Sequence, residues 1–262
     1  MQPLIDCDIL RYEVGFAAER PDEDIWSFDS VKELFDTRIR EICNATDGTD
    51  PILYISQGRC FRDDIAVTKP YKGNRAKSKK PFHYANLTAY IKSLPGCQVI
   101  EWIEADDAMC IEQTSRLEQK DTVICSRDKD LKQCEGYHYG WECGKQPEWK
   151  MRWVNLWGDI ELSKDRKSIK GTGTLFFLSQ VLTGDSTDNI PGCPKIGPVK
   201  AYEILMKYVE YAPLIKSDPF VLVAETYAEF ASAELLEEQL ILLYLLRSKD
   251  EIPPRPKRDR LE

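Results

Sequence analysis

Short apolar runs of strand length recur along the first half of the chain, and each ends in polar residues. Leu4-Ile5 runs into Asp6, Ile52-Leu53-Tyr54-Ile55 into Ser56, and Thr122-Val123-Ile124-Cys125 into Ser126 and Asp128, while Val99-Ile100 comes shortly before Glu104. Runs of this length bounded by polar residues predict strands. Between them the apolar period lengthens. Val31, Leu34, Phe35, Ile39 and Ile42 share one helical face, and Ser30 with Glu33 has the spacing of a capping box. A second helix is predicted over 104–117, where Ala105, Ala108, Met109 and Glu112 recur at three and four. Strand–helix alternation predicts an α/β domain with a mostly parallel sheet. In such sheets functional groups gather beyond the carboxyl ends of the strands. Asp6, Glu104 and Asp128 stand at three of those ends.

The pattern changes near residue 165–170. Leu175 to Leu178 and Val181-Leu182 read as helix, followed by a Gly/Pro-rich turn from Gly184 to Pro198. Pro198 suits a first helical turn, and 199–208 continues as helix. Another apolar helix is predicted over 232–247. The expected division is 1–168 for the α/β domain and 169–262 for a helical one. The stretch 137–157 carries four of the six Trp residues, and alternation at 152–156 predicts a sheet edge or hairpin. Packing explains these aromatics better than base stacking, because aromatic burial is the common case. The tail from Pro253 to Arg258 is expected to be extended or disordered.

Composition narrows the class. The 262 residues form a soluble globular profile, and no apolar run approaches the ~18–20 residues of a membrane helix. The start lacks a basic segment and meets Asp6 early, so no secretory signal is expected. Nine Cys without a CxxC read as reduced thiols of a cytosolic protein. Cys134-x3-His138-x4-Cys143 fits no common zinc spacing. The net charge of −8 taken alone argues against nucleic acid, but its distribution argues for it. Lys69, Lys72, Arg75, Lys77, Lys79 and Lys80 form a basic stretch without one acid.

The acids are gathered elsewhere: Glu104-Ala105-Asp106-Asp107, Asp128-Lys129-Asp130 and Asp185-Ser186-Thr187-Asp188, with Asp6 alone. A single acidic set at a helix start or turn is ordinary, since the dipole and capping favour it. Three sets near strand ends or turns are harder to explain that way, because clustered carboxylates repel unless a cation offsets them. Oxygen ligands without His or Cys point to Mg²⁺ or Mn²⁺. Paired ions of this kind serve in-line phosphodiester cleavage.

The run Gly184-Asp185-Ser186-Thr187-Asp188-Asn189-Ile190-Pro191-Gly192-Cys193-Pro194-Lys195-Ile196-Gly197-Pro198 resembles the G-D-x-x-D-N-I-x-G-x-x-G-I-G signature of structure-specific 5′-nucleases. That family includes flap endonucleases, phage 5′–3′ exonucleases and the 5′-nuclease domain of bacterial DNA polymerase I. Tyr71-Lys72-Gly73-Asn74-Arg75, Glu104 to Asp107 and Ser126 to Asp130 match further motifs in the family's order, so the resemblance covers roughly residues 3–210. It implies a PIN-like core, a helical arch over about 73–93 and a helix-three-turn-helix element over 184–208. It implies metal ligands at Asp6, Glu104, Asp106, Asp107, Asp128, Asp130, Asp185 and Asp188 for a pair of Mg²⁺ ions, with Mn²⁺ as a substitute. One ion is expected at Asp6, Glu104 and Asp106, the other nearer Asp128, Asp130 and Asp185.

The resemblance also assigns Lys72 and Arg75 to the scissile phosphate. DNA contacts are expected from Tyr71, Lys77, Lys79, Lys80, Gly192, Lys195, Gly197 and Lys200, with K⁺ held by carbonyls of the helix-three-turn-helix turn. Gly192 and Gly197 would let backbone approach phosphate, and Tyr71 could equally stack or pack. The implied activity is Mg²⁺-dependent hydrolysis of DNA at 5′ ends, nicks or flaps, releasing 5′-phosphorylated products. The chain looks most like a stand-alone phage enzyme of DNA replication or repair, acting as a monomer in the host cytoplasm.

Two positions depart from the family pattern. Relatives often place an Asp at the end of the second strand, where this chain reads Ser56-Gln57-Gly58-Arg59. Gln57, if it points inward, could orient a coordinated water there. Cys7 stands where relatives usually have Gly, and Asp8 follows. Two alternatives keep part of the pattern: a PIN-type ribonuclease, and a non-catalytic duplex DNA-binding homologue.

Overall fold

The computed structural model describes residues 1–19, 24–215 and 218–253, without the side chains of 76, 77 and 210–215. In chain order the elements are β1 (Gln2–Asp6), α1 (Cys7–Ala17), α2 (Phe28–Ala45), β2 (Ile52–Cys60), α3 (Arg62–Ile65), α4 (Tyr84–Ser93), β3 (Cys97–Trp102), α5 (Ala105–Ser115), β4 (Thr122–Cys125), β5 (Gly136–Gly140) and β6 (Trp149–Val154). Then come β7 (Ile160–Leu162), β8 (Ile169–Gly171), α6 (Gly173–Thr183), α7 (Pro198–Ile215), α8 (Pro219–Phe230) and α9 (Ala233–Leu243). The main sheet has the order β3-β2-β1-β4-β5-β6, and β7 pairs only with β8.

β1 lies inside the sheet, parallel to both β2 and β4. Its side chains alternate between two apolar layers. Ile5, Leu53, Ile55 and Val123 meet α1, α2 and α4 through Leu10, Val14, Phe35, Ile42, Leu87 and Ile91. Leu4, Tyr54 and Ile124 meet α5 through Ala105 and Met109 on the other face. Because β1, β2, β3 and β4 run parallel, their carboxyl ends open on one edge, and the chain reverses its direction of winding between β1 and β4. That reversal leaves a crevice where ligands bind in open α/β sheets.

Several boundaries differ from the expectation, each for a local reason. α2 starts at Phe28 rather than beside Ser30, because the Ser27 side chain caps it by accepting from Ser30 N at 3.2 Å. The stretch 73–93 divides into a 3₁₀ turn, Gly73–Lys77, and α4, whose Leu87 and Ile91 are fully buried under the sheet. The far limb of the expected arch is therefore a core helix. The last apolar helix ends at Leu243, since the chain extends beyond it to seat Leu245 and Leu246 beside α5. The expected division at 168/169 falls within the β7–β8 hairpin. The 137–157 stretch supplies β5, parallel to β4, and the antiparallel edge strand β6. The tail beyond Pro253 lies outside the described residues.

α6 and α7 flank the Gly/Pro turn of 184–197, as the sequence pattern predicts. Gly184 and Gly192 have φ of 74° and 71°, and a Cβ on Gly192 would stand 2.2 Å from Gly184 N. The two backbones thus cross at a distance only glycine allows.

Candidate metal and nuclease centre

A cleft of about 550 Å³ opens at the carboxyl ends of β1 and β4, beside Ser56 in the middle of β2. Asp6, Asp8, Glu104, Asp106 and Asp128 line it together with Lys72 and Arg75. Local structure places each group. Asp6 ends β1 and caps α1, its Oδ1 accepting from Asp8 N at 3.0 Å and Ile9 N at 3.2 Å. Its Oδ2 accepts from the Ser126 hydroxyl at 2.7 Å, bridging the crevice to the loop after β4. Asp128 N donates to the same Ser126 Oγ at 2.9 Å. Glu104 caps α5, and Asp106 follows in its first turn.

The carboxylates divide by their partners. Glu104 is held by Lys72, by the Tyr71 hydroxyl at 2.7 Å, and more loosely by Arg62 at 3.5 Å. Burial alone would raise its pKa, but Lys72 and then Arg62 bring it down to about 2. Asp185 accepts from Lys129 at 2.5 Å, and Asp188 pairs with Arg75. Asp8 pairs with Arg11 at 2.8 Å. Asp6, Asp106 and Asp128 have no ion-pair partner among the described residues. Burial and then the charge of Asp8 lift Asp6 to about 7. Burial, and then Asp6 and Asp128, push Asp106 well above its usual range. Among the described residues no three His, Cys, Asp or Glu side chains stand ready as one ligand set. Even so, oxygen donors lining one cleft without an ion-pair partner among the described residues fit a hard divalent cation, which would relieve their repulsion.

The structure sorts the remaining expected ligands. Asp130 and Asp185 form a second group around Lys129 and Gln180; the Gln180 amide donates to Asp130 Oδ1 at 2.6 Å. Burial and then Asp128 raise Asp130 to about 7. Asp107 does not reach the cleft. Its carboxylate receives the Arg62 guanidinium at 2.6 and 2.7 Å, the Leu246 N–H at 3.1 Å and the Glu104 N–H at 3.0 Å, with no exposed surface left. It is corrected from ligand to buried brace. Arg62, which no motif singled out, also donates to Leu242 O and Tyr244 O, tying the end of α9 to α3 and α5.

The basic motif folds onto the Gly-Asp turn. Lys72, at φ 52°, donates its N–H to Asp188 O at 2.9 Å, and the Asn74 amide donates to Ser186 O at 2.7 Å. Tyr71 is buried, with its hydroxyl also 3.3 Å from Asp188, so it packs and offers no face to a base. Lys79 pairs with Glu19 at 2.7 Å, and Lys80 lies 4.7 Å from the Tyr84 ring centroid. The Lys77 side chain lies outside the described residues. Gly192 is buried and donates to Gln239 at 2.9 Å, so its expected phosphate contact is corrected to a packing role. Gly197 is exposed, with open space where a Cβ would stand, and Lys195 and Lys200 flank it at the start of α7. Gln57 is exposed and turned towards Glu101 at 2.7 Å and Lys92, away from the cleft.

His138, buried against Cys134 O at 2.8 Å, is pushed down to about 4 by burial, and all nine cysteines are free thiols. No helix of the described residues is long and apolar enough to cross a membrane.

The strand order and the cleft at the carboxyl edge of the sheet make an α/β, PIN-like fold, similar to that of solved 5′-nucleases. Similar solved structures come from bacteriophage T5. The D15 flap endonuclease, in a pseudo-enzyme–product complex with DNA and metal ions, aligns with TM-score 0.63 and 18% identity over 94% of this chain and 89% of its own. The T5 D15 protein co-crystallised with metal ions aligns with TM-score 0.58 and 17% identity over 94% and 90%. The T5 5′-exonuclease with bound zinc has TM-score 0.58 and 18% identity over 92% and 88%. No family model matches this sequence, and no curated protein sequence does.

Proposed function

We propose that this protein is a divalent-metal-dependent 5′-nuclease that hydrolyses DNA phosphodiester bonds at 5′ ends, nicks or flaps. The observation that carries the reading is the meeting of Asp6, Asp106 and Asp128, three acids without an ion-pair partner among the described residues, with Lys72 and Arg75 in one cleft. The T5 proteins of similar fold, a flap endonuclease and a 5′-exonuclease crystallised with DNA or metal ions, support it. Mg²⁺ suits the all-oxygen donor set, with Mn²⁺ as a substitute. Bound there, such ions would supply an activated water and offset charge on the phosphate and leaving oxygen.

The chain's own groups do the positioning. Ser126 orients Asp6 and Asp128 together, and Asp6 in turn fixes the first turn of α1. Lys72 and Arg75 bring positive charge to the cleft mouth, pre-arranged by their contacts with the 185–189 turn. At the start of α7, open backbone around Gly197 with Lys195 and Lys200 suits duplex phosphate, because helix-start N–H groups attract anions without reading sequence. K⁺ at the carbonyls of the same turn belongs to this proposal. A labelled 5′ flap and a nicked duplex, incubated with and without Mg²⁺, test it. Metal-dependent release of 5′-phosphorylated products is expected. Cleavage confined to RNA would favour a ribonuclease, and binding without any cleavage a non-catalytic homologue.

A further inference from the structure

We propose that cations gathered around Trp149, on the outer edge of the main sheet, form a second contact for the DNA phosphate backbone, apart from the start of α7. The proposal rests on the nuclease reading for the identity of the polyanion. β6 is the edge strand, and Trp149 opens it half-buried. Lys132 Nζ stands 4.4 Å and the Arg152 guanidinium 4.6 Å from the Trp149 ring centroid. Arg127 joins them, fixed by donating to Pro147 O at 3.2 Å and to Gln146 Oε1 at 2.6 Å. No carboxylate forms an ion pair with Lys132 or Arg152 among the described residues.

Like charges collected without an ion-pair partner among the described residues, in a chain of net charge −8, suit an external anion. A nucleic-acid backbone meets several cations at once, since duplex DNA carries a charge about every 1.7 Å of axis. Trp149 holds its cations through its π-surface, which favours phosphate capture over base stacking. Arg127 immediately precedes Asp128 of the cleft and Lys132 lies four residues beyond it, in the 3₁₀ turn Asp130–Gln133, so DNA entering the cleft would continue over this edge.

The test uses the full chain and a fluorescent 5′-flap duplex in EDTA, with binding followed across salt concentrations. Lys132→Ala with Arg152→Ala is expected to weaken binding roughly tenfold and to reduce the salt slope by about two, one unit per lost contact. Lys32→Ala with Arg40→Ala, which removes the same charge from α2, is expected to bind nearly as wild type. The exposed Arg152→Gln alone, expected to lower the slope by about one, serves if the double variant folds poorly. Unchanged affinity and slope, or an equal loss in the α2 variant, would overturn the proposal. With Mg²⁺ and saturating DNA the single-turnover rate should match wild type. A wild type that binds DNA but never cuts it refutes the nuclease reading alone, and the binding data still judge the patch.

Discussion

The Asp8 carboxylate accepts the backbone N–H of Ser56 at 3.0 Å, joining the first turn of α1 to the middle of β2. A carboxylate from the helix therefore reaches a strand, β2, that carries none of its own, and it lines the same cleft as Asp6 and Glu104. Gln57, next along the strand, faces Lys92 and Glu101 instead. Asp8→Asn is expected to weaken divalent metal binding by about tenfold, the scale of a lost supporting group. Gln57→Asp is expected to leave it unchanged. Calorimetric titration of Mn²⁺ into DNA-free protein checks both, and a tighter site in Gln57→Asp would show that its side chain turns inward.

Among the described residues Asp106 has neither an ion-pair partner nor a place in any brace, so its carboxylate is available to a metal. Asp106→Asn and Asp128→Asn should each lower the cleavage rate by at least ~10³ while DNA affinity stays level or rises. Lys72→Ala should slow single-turnover cleavage with only a modest loss of affinity, because Lys72 sits in the cleft against Glu104. Near-normal cleavage by Asp106→Asn would sink the assignment.

Arg62 and Asp107 form a buried pair whose donors reach α9 and whose acceptors hold Leu246. Removing one partner leaves a charge without compensation, at a typical cost of about 3–5 kcal/mol. Asp107→Ala should therefore lower the urea midpoint sharply. Asp106→Asn, whose acid lacks such partners, should not lower it. A catalytic defect at full stability in Asp107→Ala would restore Asp107 to the metal site.

The raised acids set a pH dependence in metal-free protein. Asp6 and Asp130 shift from 3.8 unfolded to about 7 folded, so the folded state holds their protons more tightly. Their contribution is fully present below about 4 and is lost as pH rises towards 7. Glu104 acts oppositely: depressed to about 2 from 4.5, it contributes above about 4.5 and loses that contribution as pH falls towards 2. The melting temperature in EDTA should fall between pH 5 and 8, and added Mg²⁺ should restore more of it at pH 8, since metal binds the deprotonated form. A metal-free melting temperature that rises across that range would contradict the raised acids.

Much of this architecture is legible along the chain because it depends on neighbours in sequence. Strand-length apolar runs ending at Asp6, Ser56 and Ser126 foretell β1, β2 and β4, and the Gly/Pro turn foretells the α6–α7 pair. Asp6, Glu104, Asp106 and Asp128 meet as their strand-end positions suggest, since parallel pairing aligns those ends. What adjacency cannot encode is which way a side chain turns and what meets it from a distant segment. Asp106 and Asp107 are consecutive, yet α5 rotates about 100° per residue and sends one to the cleft and the other to Arg62. Tyr71 and Gly192 carry motif-like surroundings but are buried by partners 117 and 47 residues away. The Asp8 contact with Ser56 arises only once α1 crosses the sheet, because a hydrogen bond depends on distance and direction in space, and the chain between its partners leaves both undetermined.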